Sequence, residues 1–211
     1  MTNMPPTHLR PAIALATILF AFSVCLAAAS LQYGGQTYKT VKIGEQTWMA
    51  ENLNYEAEGS KCYDNNPANC AKYGRLYDWE TAKKVCPKGW HLPSNAEWDK
   101  LFRFVDGDKG TESPYLSKTA GKYLKAVSGW KDARNGVSGN GTDNYGFSAL
   151  PGCNGGSDGS FSSVGFSGDW WSTSENGSSY AYFRYMSYSN DYANWSNDNK
   201  SDLLSVRCLQ D

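Results

Sequence analysis

Histidine is almost missing from this chain. Only His8 and His91 occur in 211 residues, and His8 sits in a short N-terminal leader. A zinc centre would want several histidines or paired C-x-x-C spacings, and the sequence offers neither. There is no G-x-S-x-G elbow, and with one histidine past the leader a hydrolytic triad has no support. Excess charge of either sign is missing as well, since 20 basic residues face 21 acidic ones. That balance provides no electrostatic footprint for nucleic acid or for an anionic membrane surface. No internal repeat and no linker marks a second domain. Residues 30–211 therefore read as one domain, long enough to bury a real core.

What is present begins with the leader. Residues 1–11 are polar with one charge, Arg10, and residues 12–29 (AIALATILFAFSVCLAAA) form an uncharged apolar run ending in three alanines. This reads as a signal peptide over residues 1–29, with small residues at a cleavage site before Ser30. Two rival readings stay open: eighteen residues are just enough for a retained membrane anchor, and Cys25 could carry a lipid. The expectation is export, to the surface or exterior of a bacterium.

Past the leader come five cysteines, Cys62, Cys70, Cys86, Cys153 and Cys208. In an exported chain these read as disulfides rather than metal ligands. Cys62 and Cys70 bracket a polar turn, YDNNPAN, and could close a small loop. Cys86 with Cys208 would close a loop of more than a hundred residues, which leaves Cys153 over. Tryptophan (8) and tyrosine (14) are abundant beside Gly, Ser and Asn, a composition for short strands, many turns and an aromatic core.

Residues 36–43 (QTYKTVKI) and 46–53 (QTWMAENL) predict a hairpin around Gly44-Glu45, followed by a polar loop over 55–73. Residues 77–85 (YDWETAKKV) space Trp79, Ala82 and Val85 for a helical face. Ser94-Asn95-Ala96-Glu97 is a capping box opening a helix that buries Trp98, Leu101, Phe102 and Val105. A short helix is expected over 118–126, a strand over 146–152, and a surface excursion over 153–168. Strands are expected over 169–174, 179–187 and 203–209, with a strand near the N-terminus pairing with the last one. Helices early, strands at both ends and long loops between predict an α+β domain, with short helices packed on small antiparallel sheets.

WMAENLNY (48–55), YGRLYDW (73–79), CPKGWHLPSNAEWDKL (86–101), GFSALPG (146–152), WWSTSE (170–175) and SVRCLQD (205–211) resemble, in that order, the Fibrobacter succinogenes major paralogous domain. The resemblance covers residues 33–211. It implies a C-type-lectin-like domain, distantly similar to the formylglycine-generating sulfatase-modifying enzymes through LPSNAEW, and a bacterial surface protein. Family members usually carry glycine where this chain has Cys153, which supports treating Cys153 as the odd thiol.

Formylglycine generation needs a reactive cysteine pair and copper in the C-terminal third, and residues 179–191 (SYAYFRYMSYSND) contain no cysteine. That activity is expected to be lost, and no cofactor is expected. Calcium binding of the lectin type could draw on Asn197 and Asp198, or on Asp106-Gly107-Asp108, but these read more simply as solvated turn residues. Glycoside hydrolysis needs two carboxylates across a cleft. Asp78, Glu80, Glu97 and Asp99 are available, and capping and exposed helix faces account for them. Carbohydrate can also be bound without catalysis, by aromatic rings stacking on sugars beside Asn, Asp and Ser edges. Trp48, Trp79 and Trp98 are expected in the core, leaving Tyr188, Tyr192 and Trp195 in turn-rich sequence as candidate ligand-binding rings. The expected function is a non-catalytic surface interaction or adhesion module. Its alternative is a module binding plant cell-wall polysaccharide. The expected partner is accordingly a polysaccharide or a cell-surface protein.

Overall fold

The computed structural model of the chain describes residue 1 and residues 29–107, 116–162 and 164–211. Arg10, Cys25 and Asp108 lie outside the described residues. In chain order the elements are strands β1 (Ser30–Tyr33), β2 (Gln36–Ile43) and β3 (Gln46–Met49), helix α1 (Pro67–Tyr73), strand β4 (Leu76–Tyr77), helix α2 (Trp79–Ala82) and strand β5 (Trp90–His91). Then come helices α3 (Asn95–Asp106) and α4 (Ala120–Leu124) and strands β6 (Ser167–Asn176), β7 (Tyr180–Ser187), β8 (Ala193–Asn199), β9 (Leu204–Ser205) and β10 (Leu209–Gln210). The fold is α+β, with two five-stranded sheets ordered β1-β2-β3-β10-β5 and β4-β9-β6-β7-β8. The first is antiparallel; the second has one parallel pairing, β6 with β9. No helix among the described residues is long and apolar enough to cross a membrane.

The predicted hairpin forms as β2 and β3, but β3 stops at Met49. Beyond it Ala50 and Leu53 donate to Lys39 and Val206, so the chain turns away to meet the C-terminal segment. An unexpected strand, β1, adds to β2 through Gly34-Gly35. Both glycines have positive φ, 57° and 76°, which a two-residue hairpin turn with the sheet's twist requires. Inside the supposed polar loop, Asn66 accepts from Ala68 N and Pro67 sits at the first helical position, and α1 follows. The predicted helix over 77–85 is shorter than expected. Tyr77 belongs to β4, and α2 begins only after Asp78, whose side chain caps it.

Helix α3 forms as the capping box predicts, burying Trp98, Leu101, Phe102 and Val105. Residues 146–152 form no strand; Ala149 makes a single bridge with Lys125. The expected last strand is split. β9 joins the second sheet and β10 the first, with Val206, Arg207 and Cys208 crossing between them. Leu209 pairs with Trp48, so the N-terminal hairpin does meet the last strand.

Strand β6 shows why there are two cores. Side chains alternate across a strand, so the adjacent Trp170 and Trp171, both fully buried, point to opposite faces. Trp170 packs 6.4 Å from Trp98, which lies 4.8 Å from Trp48. Trp171 meets Phe183 on the other side and shares its core with Tyr77 and Trp79. Three of these indole N–H groups find acceptors within the fold, Trp170 at Asn52 Oδ1, Trp171 at the Tyr77 carbonyl and Trp79 at the Ser172 carbonyl, each at 2.8 Å. Those of Trp48 and Trp98 are buried without an acceptor among the described residues. Disulfides join Cys62 to Cys70 and Cys86 to Cys208.

Candidate functional site

The motif residues converge on two polar networks. In the first, Asn52 is the hub. Its Oδ1 accepts from Arg207 Nη2 at 2.6 Å, Arg207 Nε at 3.1 Å and Trp170 Nε1, while its Nδ2 donates to the Tyr73 carbonyl at 2.8 Å and to Ser205 Oγ at 3.4 Å. Arg207 is fully buried, also donates to the Phe147 carbonyl and lies 4.4 Å over the Phe147 ring. Burial pulls the guanidinium pKa down, against the pull of Asp143 and Glu51. WMAENLNY, YGRLYDW, GFSALPG, WWSTSE and SVRCLQD thus each place a group in one knot. Asn52 also lines a groove of about 500 Å³ with Lys39, Glu51, Tyr73 and Gly74.

The second network uses His91. Its Nδ1 lies 2.6 Å from Asp211 Oδ1 and its Nε2 2.9 Å from Glu97 Oε1. Glu97 Oε2 accepts from both the backbone N and the Oγ of Ser94, completing the capping box. Burial alone would lower the His91 pKa, but the bonds to Asp211 and Glu97 outweigh it and raise it.

The carboxylates weighed for hydrolysis are all occupied. Asp78 accepts from Thr81 N and Oγ1, and Glu80 pairs with Lys83 at 3.1 Å. Glu97 holds His91, and Asp99 meets the buried Arg184 at 2.9 Å. Among the described residues no group of three or more His, Cys, Asp or Glu could hold a metal ion. Asn197 and Asp198 are neighbours on β8, so their side chains leave opposite faces and do not converge, and Asp198 Oδ1 accepts from Asn199 N. Asp106 closes α3, and Gly107 takes the left-handed cap position. Cys153 is buried; burial and the nearby Asp169 raise its thiol pKa, so it is not a poised nucleophile.

The three predicted rings fall into different settings. Tyr188 packs 4.9 Å from Phe166. Tyr192 is exposed, and its backbone presses on α4 so closely that a Cβ on Gly121 would lie 2.4 Å from its carbonyl oxygen. Trp195, expected in a turn, stands on β8, where its ring lies 5.4 Å from Tyr182. The reason is register. Tyr182 pairs with Asn197 and Arg184 with Trp195, so the Tyr182–Trp195 contact is a diagonal across one face of the β7–β8 hairpin. Toward Arg184 this face is covered by the start of α3: Arg184 donates to Asn95 Oδ1 and to Asp99, and Asn95 N donates to Ser174 Oγ.

Farther from Arg184 the same face is exposed at Tyr180, Asn197 and Asn199. Tyr180 pairs with Asn199 on one side and Asn176 on the other, and Tyr182 with Asn197. Tyr180 is 44% exposed, and Asn197 and Asn199 are exposed. Reading turn composition alone missed Tyr180, Tyr182 and Asn176. The alternation within YAYFRYMS was visible in sequence, but its outward phase was not.

No curated protein and no solved structure gives a significant match to the chain. The residues named in these two networks, Asp211 apart, lie in the part of the chain that matches a known family: residues 41–210 match the Fibrobacter succinogenes major domain, and the chain belongs to that family.

Proposed function

We propose that the protein is an exported, non-catalytic interaction module of the cell surface, holding its partner on the exposed face of the β7–β8 hairpin. The observation that carries this reading is the exposure of Tyr180, Asn197 and Asn199 in register on one face, beside the Tyr182–Trp195 ring contact. Rigid aromatic anchors with adjacent amides are what recognition surfaces use. The engagement of Asn52, His91, Glu97, Asp99 and Arg207 within the fold supports a scaffold role for the motifs rather than a catalytic one. Two disulfides fit an oxidising compartment outside the cytoplasm and support export. The meeting of β10 with β3 and the long loops between helices and second sheet support a C-type-lectin-like architecture.

The test is a binding isotherm of the labelled full chain on intact bacterial cells and on insoluble cell-wall particles. Saturable binding to either, lost when Tyr180 and Asn197 both become Ala, is expected. Absence of saturable binding to both, or binding unchanged in the double variant, would overturn the reading.

A further inference from the structure

The exposed face is unusual in what it contains. Its residues in register are Tyr180 and Tyr182 with Asn176, Asn197 and Asn199: among the described residues, two rings, three primary amides and no charged group. The charged residues of the same segment leave by the other face. Glu175 pairs with Ala181, and Asp198 with Ala181 across the other edge. Lys200 lies 4.5 Å over the Trp79 ring and 3.4 Å from Glu175.

Accepting the β7–β8 face as the binding surface, we propose that its ligand is a neutral, hydroxyl-rich glycan, held without a metal ion. A charged ligand would find no counter-ion among these described residues. A pyranose ring presents an apolar face to stack on an aromatic ring and an edge of hydroxyls. Each hydroxyl both donates and accepts, and so does each Asn amide, which offers one carbonyl and one NH₂. Tyr180 and Tyr182 stand two residues apart on β7, about 7 Å along the strand, so successive sugars of one chain can meet successive rings.

The hairpin edge argues against a peptide. β8 is the last strand of its sheet, where an added strand would dock by main-chain hydrogen bonds. Two of its N–H groups are already taken: Trp195 N donates to Asn194 Oδ1 at 2.8 Å and Asn199 N to Asp198 Oδ1 at 3.0 Å. That blunts the edge against strand addition and leaves the side-chain face as the recognition element.

The experiment is retention of the full chain on insoluble cellulose, xylan and chitin, with and without EDTA, for the wild type and for Tyr180→Ala and Asn197→Ala. Both variants alter exposed groups, and circular dichroism confirms their fold. Retention on at least one polysaccharide, indifferent to EDTA and weakened about tenfold by either variant, is expected. Retention abolished by EDTA, or equal in all three proteins, would overturn the proposal. No retention on any of the three, together with variant-sensitive binding to whole cells, would overturn the glycan and leave the binding face standing, with a protein partner in its place.

Discussion

Asn52 Oδ1 accepts two N–H groups of Arg207, 155 residues further along the chain, at 2.6 and 3.1 Å. A side-chain amide holds a fully buried guanidinium with no carboxylate in the bonded set. One oxygen receives three donors, counting Trp170 Nε1, and the amide nitrogen reaches one further segment at Tyr73 and returns to the last one at Ser205. Three separated stretches are tied to a single residue, which gives the core one arrangement rather than several.

Removing that oxygen should be costly. Asn52→Ala leaves Arg207 buried with the Phe147 carbonyl as its remaining bonded acceptor and Trp170 Nε1 unpaired. Loss of a partner from a buried charged group typically costs about 3 kcal/mol or more. For a domain of this size that lowers the melting temperature by about 10 °C. A thermal melt checks it.

The two disulfides should differ in worth. In the chain-entropy account, Cys86–Cys208, with a separation of 122 residues, contributes about 5 kcal/mol, and Cys62–Cys70, with a separation of 8, about 2.5 kcal/mol. Replacing each pair by Ser and measuring the urea midpoint should rank them in that order. Peptide mapping under non-reducing conditions should find Cys153 unbonded, and alkylation of Cys153 should need unfolding.

Ser94→Ala should destabilise the fold by about 1 kcal/mol through loss of the cap on α3. Because Glu97 also holds His91, the same variant should shift the His91 titration, readable by NMR.

Stability should fall as pH rises from about 4 to 8. Burial lifts the Asp169 pKa to about 7, with Asp198 raising it further and a bond from Ser167 opposing. A carboxyl whose folded pKa lies above its unfolded value binds more protons in the native state. Its burial is least costly below about pH 4, and the penalty grows as pH rises through 7. His91, also raised, loses its support over the upper part of the same window. Asp169→Asn should therefore raise the melting temperature at pH 8 and change it little at pH 4.

How much of this was legible in the sequence depended on how local the determinant is. Helix α3 was readable because Ser94, Glu97 and the spacing of Trp98, Leu101, Phe102 and Val105 all lie within three turns. Strand β8 was not. ANWSNDN has a turn composition and becomes a strand only by pairing with all but the last residue of β7. The split between β9 and β10 was hidden for a similar reason. LLSVRCL reads as one run, but Arg207 must reach Asn52 and Cys208 must reach Cys86, which carries the chain from one sheet to the other. At the candidate site Trp195 was visible as an aromatic among amides. Its ring partner Tyr182, and the exposed Tyr180 on the same face, required the register, which is set by tertiary pairing.

The most direct measurement pairs thermal melts with polysaccharide and cell retention for Asn52→Ala and for the Tyr180→Ala/Asn197→Ala double variant, below the melting point of both. If the motif residues hold the fold and the hairpin face holds the ligand, Asn52→Ala melts early but is retained like the wild type, whereas the double variant melts with the wild type and is not retained. A folded Asn52→Ala protein that no longer binds, beside a double variant that still does, would contradict the account and move the site to the groove lined by Asn52, Lys39 and Tyr73.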